Sequence, residues 1–310
     1  MSAKALLKFI DPADGPVISI SSVPYPTFWR RGFWHSTAQL HPEWTGRESS
    51  KILQPCGGGW SRDKEESQCK AVTEAIERWC FQWHSKFSPK DAGLDIDPTT
   101  NGFAALPSVF GKERVIGNAY CEALERWALN RIWDHGDIPV SEITFGAGRL
   151  SKLFDTLKGS GRCFKSILRQ RNGDASFSGE NIFCLALFKT KDGGVVPGSA
   201  CGINPDATAE RAILEAYIHA RAYDRMKKNK MFVFDNILEK RLYFFGSNPK
   251  ARCMVEERLK CSEPVIYNNL PRICFSRDLV GPWGPEVLVH RLLLEDSRPF
   301  SEGGVERFLI

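Results

Sequence analysis

The sequence predicts a layered α/β protein, in which mixed β-sheets are packed by long helices. Three observations predict it. Long amphipathic patterns alternate with short β-branched runs along the chain. Apolar residues make up 42% and charged residues 25% of the 310 residues, the balance of a globular protein rather than a fibre or a disordered chain. No Ser/Gly-rich or low-complexity linker divides the chain, so residues 1–310 are expected to form a single cooperative domain.

Taken in order, "GPVISISS" (15–22) alternates as a strand does, and "PYPTFW" stops it. "CGGGWSRDKEES" (56–67) is expected to be a glycine turn followed by a helix start. Ser61 or Asp63 can cap that helix, and Glu65 and Glu66 suit the positive end of its dipole. The helix runs to about His84. After the turn "DPTTNGFAALPS", a second helix spans roughly Lys112 to His135, and a third runs from Asp206 to about Lys228. Between these two lie the strand candidates "NIFCLALFKT" and "VVPGSACGI". Later ones are "EPVIYNN", "RICFSRDLV" and "EVLVHRLLL".

Composition also excludes. The net charge of +5 is spread over Lys and Arg scattered among acids, with no basic block, so no nucleic-acid partner is expected. The apolar piece near the start is too short and too charged for a signal peptide, and no run approaches the ~18 apolar residues of a membrane span. A cytoplasmic location follows as the expectation. The ten cysteines include no CxxC pair and fall mostly in apolar runs, which reads as reduced core thiols. The six histidines form no HExxH, and "GGGW" lacks both familiar glycine-rich phosphate cradles.

One pattern remains. "EAIERWC" begins at Glu74 and "EALERWA" at Glu122, nearly the same words 48 residues apart. On a helix, residues three apart share a face, so Glu74 and Glu77 project together, as do Glu122 and Glu125. Their neighbours are apolar: Ala71, Ala75, Ile76 and Trp79 in one copy, Ala119, Ala123, Leu124 and Trp127 in the other. Buried carboxylates without partners cost several kcal/mol per ion. Divalent cations remove that cost, and hard oxygen ligands favour Mg2+. Arg78 and Arg126, about 100° further round their helices, can reach phosphate or the adjacent acids. A single copy also reads as a solvated face with internal salt bridges; two copies with the same companions weigh against that reading.

The residues resemble the YcaO-like family of ATP-dependent, peptide-backbone-modifying enzymes. Its pattern is a Gly-rich turn and an E-x-x-E-R helix, a "TNG-x-A" turn, a second E-x-x-E-R helix, and a "P-D" turn leading to a third helix with Glu and Arg. This chain supplies "CGGGWSRDKEESQCKAVTEAIERW", "TTNGFAALPSVFGKERVIGNAYCEALERW" and "GSACGINPDATAERAILEAYIHAR" in that order, within 57–221. The resemblance implies a YcaO-like fold that binds ATP and Mg2+. It implies metal ligation by Glu74, Glu77, Glu122 and Glu125, the first two and last two being the catalytic acids, with Glu113 as a further ligand. It assigns Arg126, Arg221, Arg78 and Asn101 to the nucleotide.

Where the family usually has Q-x-R, this chain has His219, Ala220 and Arg221, displaced by one from Glu215. The Pro-rich tail of many azoline-forming members is missing from "SEGGVERFLI". The implied function is ATP-dependent O-phosphorylation of backbone amides in a ribosomally made precursor peptide, chiefly cyclodehydration of Cys, Ser or Thr to azolines. Thioamide or macroamidine formation is the alternative by the same chemistry. A catalytically degenerate scaffold that binds a partner protein, and a purely structural α/β domain, stay open. A separate leader-recognition or sulfur-delivery partner is expected, and a homodimer is left open.

Overall fold

The computed structural model describes residues 6, 8–11, 13, 15–25, 33–44, 56–145, 150, 161–169, 179–229, 232–234, 236–259 and 266–308. In chain order the principal elements are β1 (Val17–Tyr25), β2 (Phe33–Leu40), β3 (Cys56–Ser61), α1 (Lys64–Phe87), β4 (Phe103–Pro107), α2 (Lys112–Asn130), β5 (Ser141–Glu142), β6 (Gly161–Arg169), β7 (Glu180–Lys189), β8 (Val195–Gly202), α3 (Pro205–Lys228), α4 (Ile237–Ser247), α5 (Pro249–Arg258), β9 (Ile266–Tyr267), β10 (Ile273–Leu279) and β11 (Val287–Leu294). The chain divides into two compact units: residues 1–123 with 273–293, and residues 124–272 with 294–310. The mixed α/β class read from the sequence is the class observed.

Unit 1 holds two three-stranded antiparallel sheets, ordered β1-β2-β3 and β10-β11-β4. Helix α1 lies on the first of them. Its start is fixed by Asp63, an extended N-cap whose Oδ1 accepts the Glu66 N–H at 2.8 Å. Its buried stripe of Ala71, Val72, Ala75, Ile76 and Trp79 faces a core that includes Val17, Ala38, Leu40, Phe103 and Trp283. Trp79 meets Phe9, Trp44 and Trp283 edge-on, with centroids 5.8–6.5 Å apart.

Two expectations are corrected here. "CGGGW" is not a turn: it is β3, paired with β2 from Gln39↔Cys56 to Trp34↔Ser61. The glycines serve close approach. A Cβ on Gly57 would stand 2.2 Å from the Ala71 carbonyl oxygen, and one on Gly59 would stand 2.0 Å from that of Ser67. "FAALP" within the expected turn is likewise a strand, β4, paired with β11.

Unit 2 has one antiparallel sheet ordered β5-β6-β7-β8, with β9 running parallel beside β6. Strand β7 is central and buried on both faces, which is why it reads as an uninterrupted apolar run. Helix α3 covers β7 and β8. Asn204 caps it, its Oδ1 accepting the Ala207 N–H at 2.9 Å, and Pro205 opens its first turn. Helix α2 ends in a π-helical turn, Arg131–His135, stopped by left-handed Gly136.

Strands β2 and β6 and helices α4 and α5 escaped the sequence reading. The expected strand "EPVIYNN" is observed only at Ile266–Tyr267; its first residues lie outside the described ones. The described cysteines are all free thiols. Cys80, Cys163, Cys184 and Cys201 are buried as expected, whereas Cys253 and Cys274 are exposed; Cys261 lies outside the described residues. Among the described residues no helix is long and apolar enough to cross a membrane.

Candidate functional site

In unit 1 the acids of α1 and α2 meet. Glu77 is pushed well above the usual carboxylate range, first by burial and then by the neighbouring carboxylates Glu122 and Glu74. A backbone hydrogen bond from Ala105 and the charge of Arg78 pull in the other direction. Glu74 is tied down: its Oε2 accepts the Gly58 N–H at 2.7 Å, and its Oε1 pairs with Arg78, which also donates to the Cys56 carbonyl.

A second cation, Arg291, is fully buried. It donates to the carbonyls of Thr99 (2.5 Å) and Asp97 (2.8 Å) and lies over Phe103. Burial lowers its guanidinium to about 10, while Asp97, Glu122 and Glu77 raise it. Asn101 belongs to the same buried turn. Its side-chain nitrogen donates to Asp97 Oδ2 at 3.2 Å, and its Oδ1 is buried without a hydrogen-bond partner.

In unit 2 a matching pair forms. Glu125 is 6% exposed, and its Oε1 accepts the Ser199 hydroxyl at 2.7 Å. The Ser199 N–H donates to Glu215 Oε2 at 2.6 Å. Glu215 is pushed up to about 7 by burial and then by Glu125; Arg126 and Arg211 oppose that rise. Arg126 lies over the Phe300 ring, 4.4 Å from its centroid. His219 donates from Nδ1 to the Pro197 carbonyl at 2.6 Å, and burial lowers its pKa.

Of the acids read from the sequence, Glu74, Glu77 and Glu122 gather in unit 1, and Glu125 finds Glu215 in unit 2. Glu113 is exposed in the first turn of α2, and Arg221 is exposed on α3. Ser199 and Arg291 escaped the sequence reading, and Glu215 was named there only to mark the register of the third helix. A signal for Glu215 was present: "AVTEA" (71–75), "AYCEA" (119–123) and "AILEA" (212–216) share one A-x-x-E-A spacing, with the two alanines buried each time.

Another constellation, in unit 1, has the hydrogen-bond order of a hydrolase triad: Ser276 to His290 at 3.0 Å and His290 to Asp278 at 2.8 Å. Its serine is exposed on a strand and Asp278 also pairs with Lys112, the setting of a polar tie between β10 and β11.

Among the described residues no three His, Cys, Asp or Glu side chains are grouped to hold a metal ion. The donor sets are carboxylate pairs. A pair fits Mg2+, which takes one or two carboxylates and completes its shell with water and phosphate oxygens.

Comparison with solved structures gives the fold. A YcaO protein from Methanopyrus kandleri, bound with AMPPCP and Mg2+, matches 97% of this chain and 92% of its own, with a TM-score of 0.59 at 13% identity. The chain has a YcaO-like fold. A heterocyclase in complex with substrate and cofactor matches 98% of this chain with a TM-score of 0.61 at 10% identity. This chain spans about half of that heterocyclase, 54% of its length. No protein-family model matches the sequence, and no curated protein matches it.

Proposed function

We propose that this chain is an ATP- and Mg2+-dependent enzyme that activates backbone amides of a peptide substrate by O-phosphorylation. The carrying observation is the pair of like-charge carboxylate clusters, Glu77 with Glu122 and the buried Glu125 with the half-buried Glu215, on a YcaO-like scaffold. Carboxylates packed this way are destabilised as anions and gain most from a divalent cation. Glu77 and Glu122 would hold Mg2+ in unit 1, beside a Glu74 already engaged by Arg78 and the Gly58 amide, and Glu125 and Glu215 would hold it in unit 2. Bound there, Mg2+ and ATP supply charge neutralisation and the phosphoryl group.

The chain's own residues position and clamp. Arg126, braced on Phe300, presents a planar donor fork suited to phosphate, and Arg291 holds a fixed positive charge beside Glu122. With ATP bound, a substrate thiol or hydroxyl would add to the amide carbon and lose its proton, and the amide oxygen would be phosphorylated with ADP as the leaving group. The C–O bond would then break to release phosphate as the amide nitrogen gives up its proton and forms C=N. An azoline results. A sulfur nucleophile delivered from outside would yield a thioamide by the same sequence. Glu113 and Arg221, exposed on α2 and α3, have the weakest claim to ligand roles.

Mass spectrometry of a candidate precursor peptide incubated with the chain, ATP, Mg2+ and a co-encoded recognition partner tests this. Loss of water, or exchange of oxygen for sulfur, is the expected result. An unmodified peptide together with no Mg2+-dependent nucleotide binding would overturn it.

A further inference from the structure

The two units repeat one local construction at a fixed offset. Residue n of unit 1 corresponds to residue n + 141 of unit 2, as Lys64 and Phe87 at the ends of α1 correspond to Pro205 and Lys228 at the ends of α3. The N-caps correspond, Asp63 with Asn204, and so do the amides they accept, Glu66 and Ala207. Gly57 and Gly198 correspond. A Cβ on the second would stand 2.3 Å from the Ala212 carbonyl oxygen, just as one on the first meets that of Ala71. Lys70 donates to the Trp60 carbonyl, and Arg211 donates to the Cys201 carbonyl. Glu74 and Glu215 accept the N–H groups of corresponding strand residues, Gly58 and Ser199.

Against that identity of plan, two side chains differ at the carboxylate. Arg78 of unit 1 pairs with Glu74 and with the Cys56 carbonyl, while its counterpart His219 satisfies the corresponding Pro197 carbonyl alone. Gly58 offers Glu74 only an amide. Ser199 offers Glu215 an amide and Glu125 a hydroxyl, and so touches both carboxylates of its pair.

We propose that Ser199 is a positioning residue that seats Glu125 and Glu215 for a shared divalent cation, with His219 fixing its strand in place of a competing guanidinium. This rests on the Mg2+ reading above. The amide and hydroxyl of Ser199 each hold one oxygen of a carboxylate, which sets the orientation of both groups before any cation arrives. Partners of metal ligands that act this way typically govern affinity by 10–100-fold. Unit 1 is organised differently: Gly58 has no side-chain hydroxyl to offer, and Arg78 supplies a resident charge at Glu74.

The test is Mn2+ titration of the full-length chain, followed by electron paramagnetic resonance of free Mn2+. Ser199→Gly installs the unit 1 residue and removes only the hydroxyl contact. It is expected to weaken Mn2+ binding about tenfold with a small change in Tm, and Ser199→Thr, which keeps the hydroxyl, to restore affinity to within about threefold of the parent. His219→Arg, which reproduces unit 1, should also weaken binding. A Ser199→Gly chain that binds Mn2+ within twofold of the parent overturns the role of Ser199, as does a folded Thr variant as weak as the Gly variant. A parent chain that binds no Mn2+ would instead remove the Mg2+ reading on which the role depends.

Discussion

Glu74 and Glu215 occupy the same place in their units, one helical turn beyond a buried alanine and under a strand amide, yet their surroundings differ. Glu74 is half of an ion pair with Arg78. Glu215 faces Glu125 across a serine, and its pKa rises to about 7 through burial and that neighbour. The scaffold therefore fixes where a carboxylate sits, and the residues four positions on and one strand across decide how its charge is met. In unit 1 the chain meets much of the charge itself, with Arg78 and Arg291. In unit 2 Arg126 and Arg211 act on Glu215, and on the proposed reading a cation would meet the rest of the charge.

The largest expected effect probes what the units share. Gly57→Ala and Gly198→Ala each place a methyl group against helix backbone that cannot move aside as a side chain can. Each should cost about 3 kcal/mol or more, seen as a fall in denaturation midpoint without change in m-value. A loss in one unit only would break the equivalence.

Next come the acids themselves. Glu122→Gln and Glu125→Gln should each lower peptide-dependent ATP turnover about a hundredfold, close to 2.7 kcal/mol of barrier, while the apo protein stays folded. Turnover within threefold of the parent for either variant would remove that acid from the cation-binding set.

Smaller, and specific to the difference between units, is a pH effect on the metal-free protein. Glu77 and Glu215 have folded-state pKa values above their ordinary 4.5, so between about pH 4.5 and pH 7 the folded state binds more protons than the unfolded state. Stability should thus fall as pH rises through that window, and Mg2+ should restore it. Glu215→Gln should flatten the slope and raise Tm near pH 8 by roughly 2–4 °C, as expected for ~1 kcal/mol. An unchanged slope in chelator would contradict the assigned burial of that acid.

The last comparison concerns the arginines. Arg126→Lys keeps the charge but loses the planar fork over Phe300, and should weaken Mg2+-ATP binding about tenfold. Arg221→Ala, at an exposed position, should change it less than threefold. Reversal of that ranking, measured by calorimetry, would move the nucleotide contact onto α3.

Much of the scaffold was legible because its signals are local. Asp63 and Asn204 cap helices in the usual way, and α1, α2 and α3 carry apolar stripes at helical spacing. The strand β3 was not legible, because three glycines that permit a helix to lie against a strand look the same as three glycines that make a turn. The 141-residue correspondence was hidden for a related reason. Around the carboxylates only Gly57, Ala71, Glu74 and Ala75 are kept at their counterparts, Gly198, Ala212, Glu215 and Ala216, and these few residues are the ones the backbone contact and the acid demand. Half of the proposed site could be read from the doubled E-x-x-E-R. Ser199 could not, since a serine in an apolar strand carries no signal until the carboxylates beside it are placed.

The proposed function requires that the close-set carboxylate pairs make nucleotide binding depend on a divalent cation. Calorimetric titration of AMPPCP into the full-length chain, with Mg2+ and with chelator, tests it most directly. Binding is expected with Mg2+, at least tenfold weaker in chelator, and equally weak with Mg2+ in the Glu125→Gln variant. Equal affinity with and without Mg2+, or no binding under either condition, would contradict it.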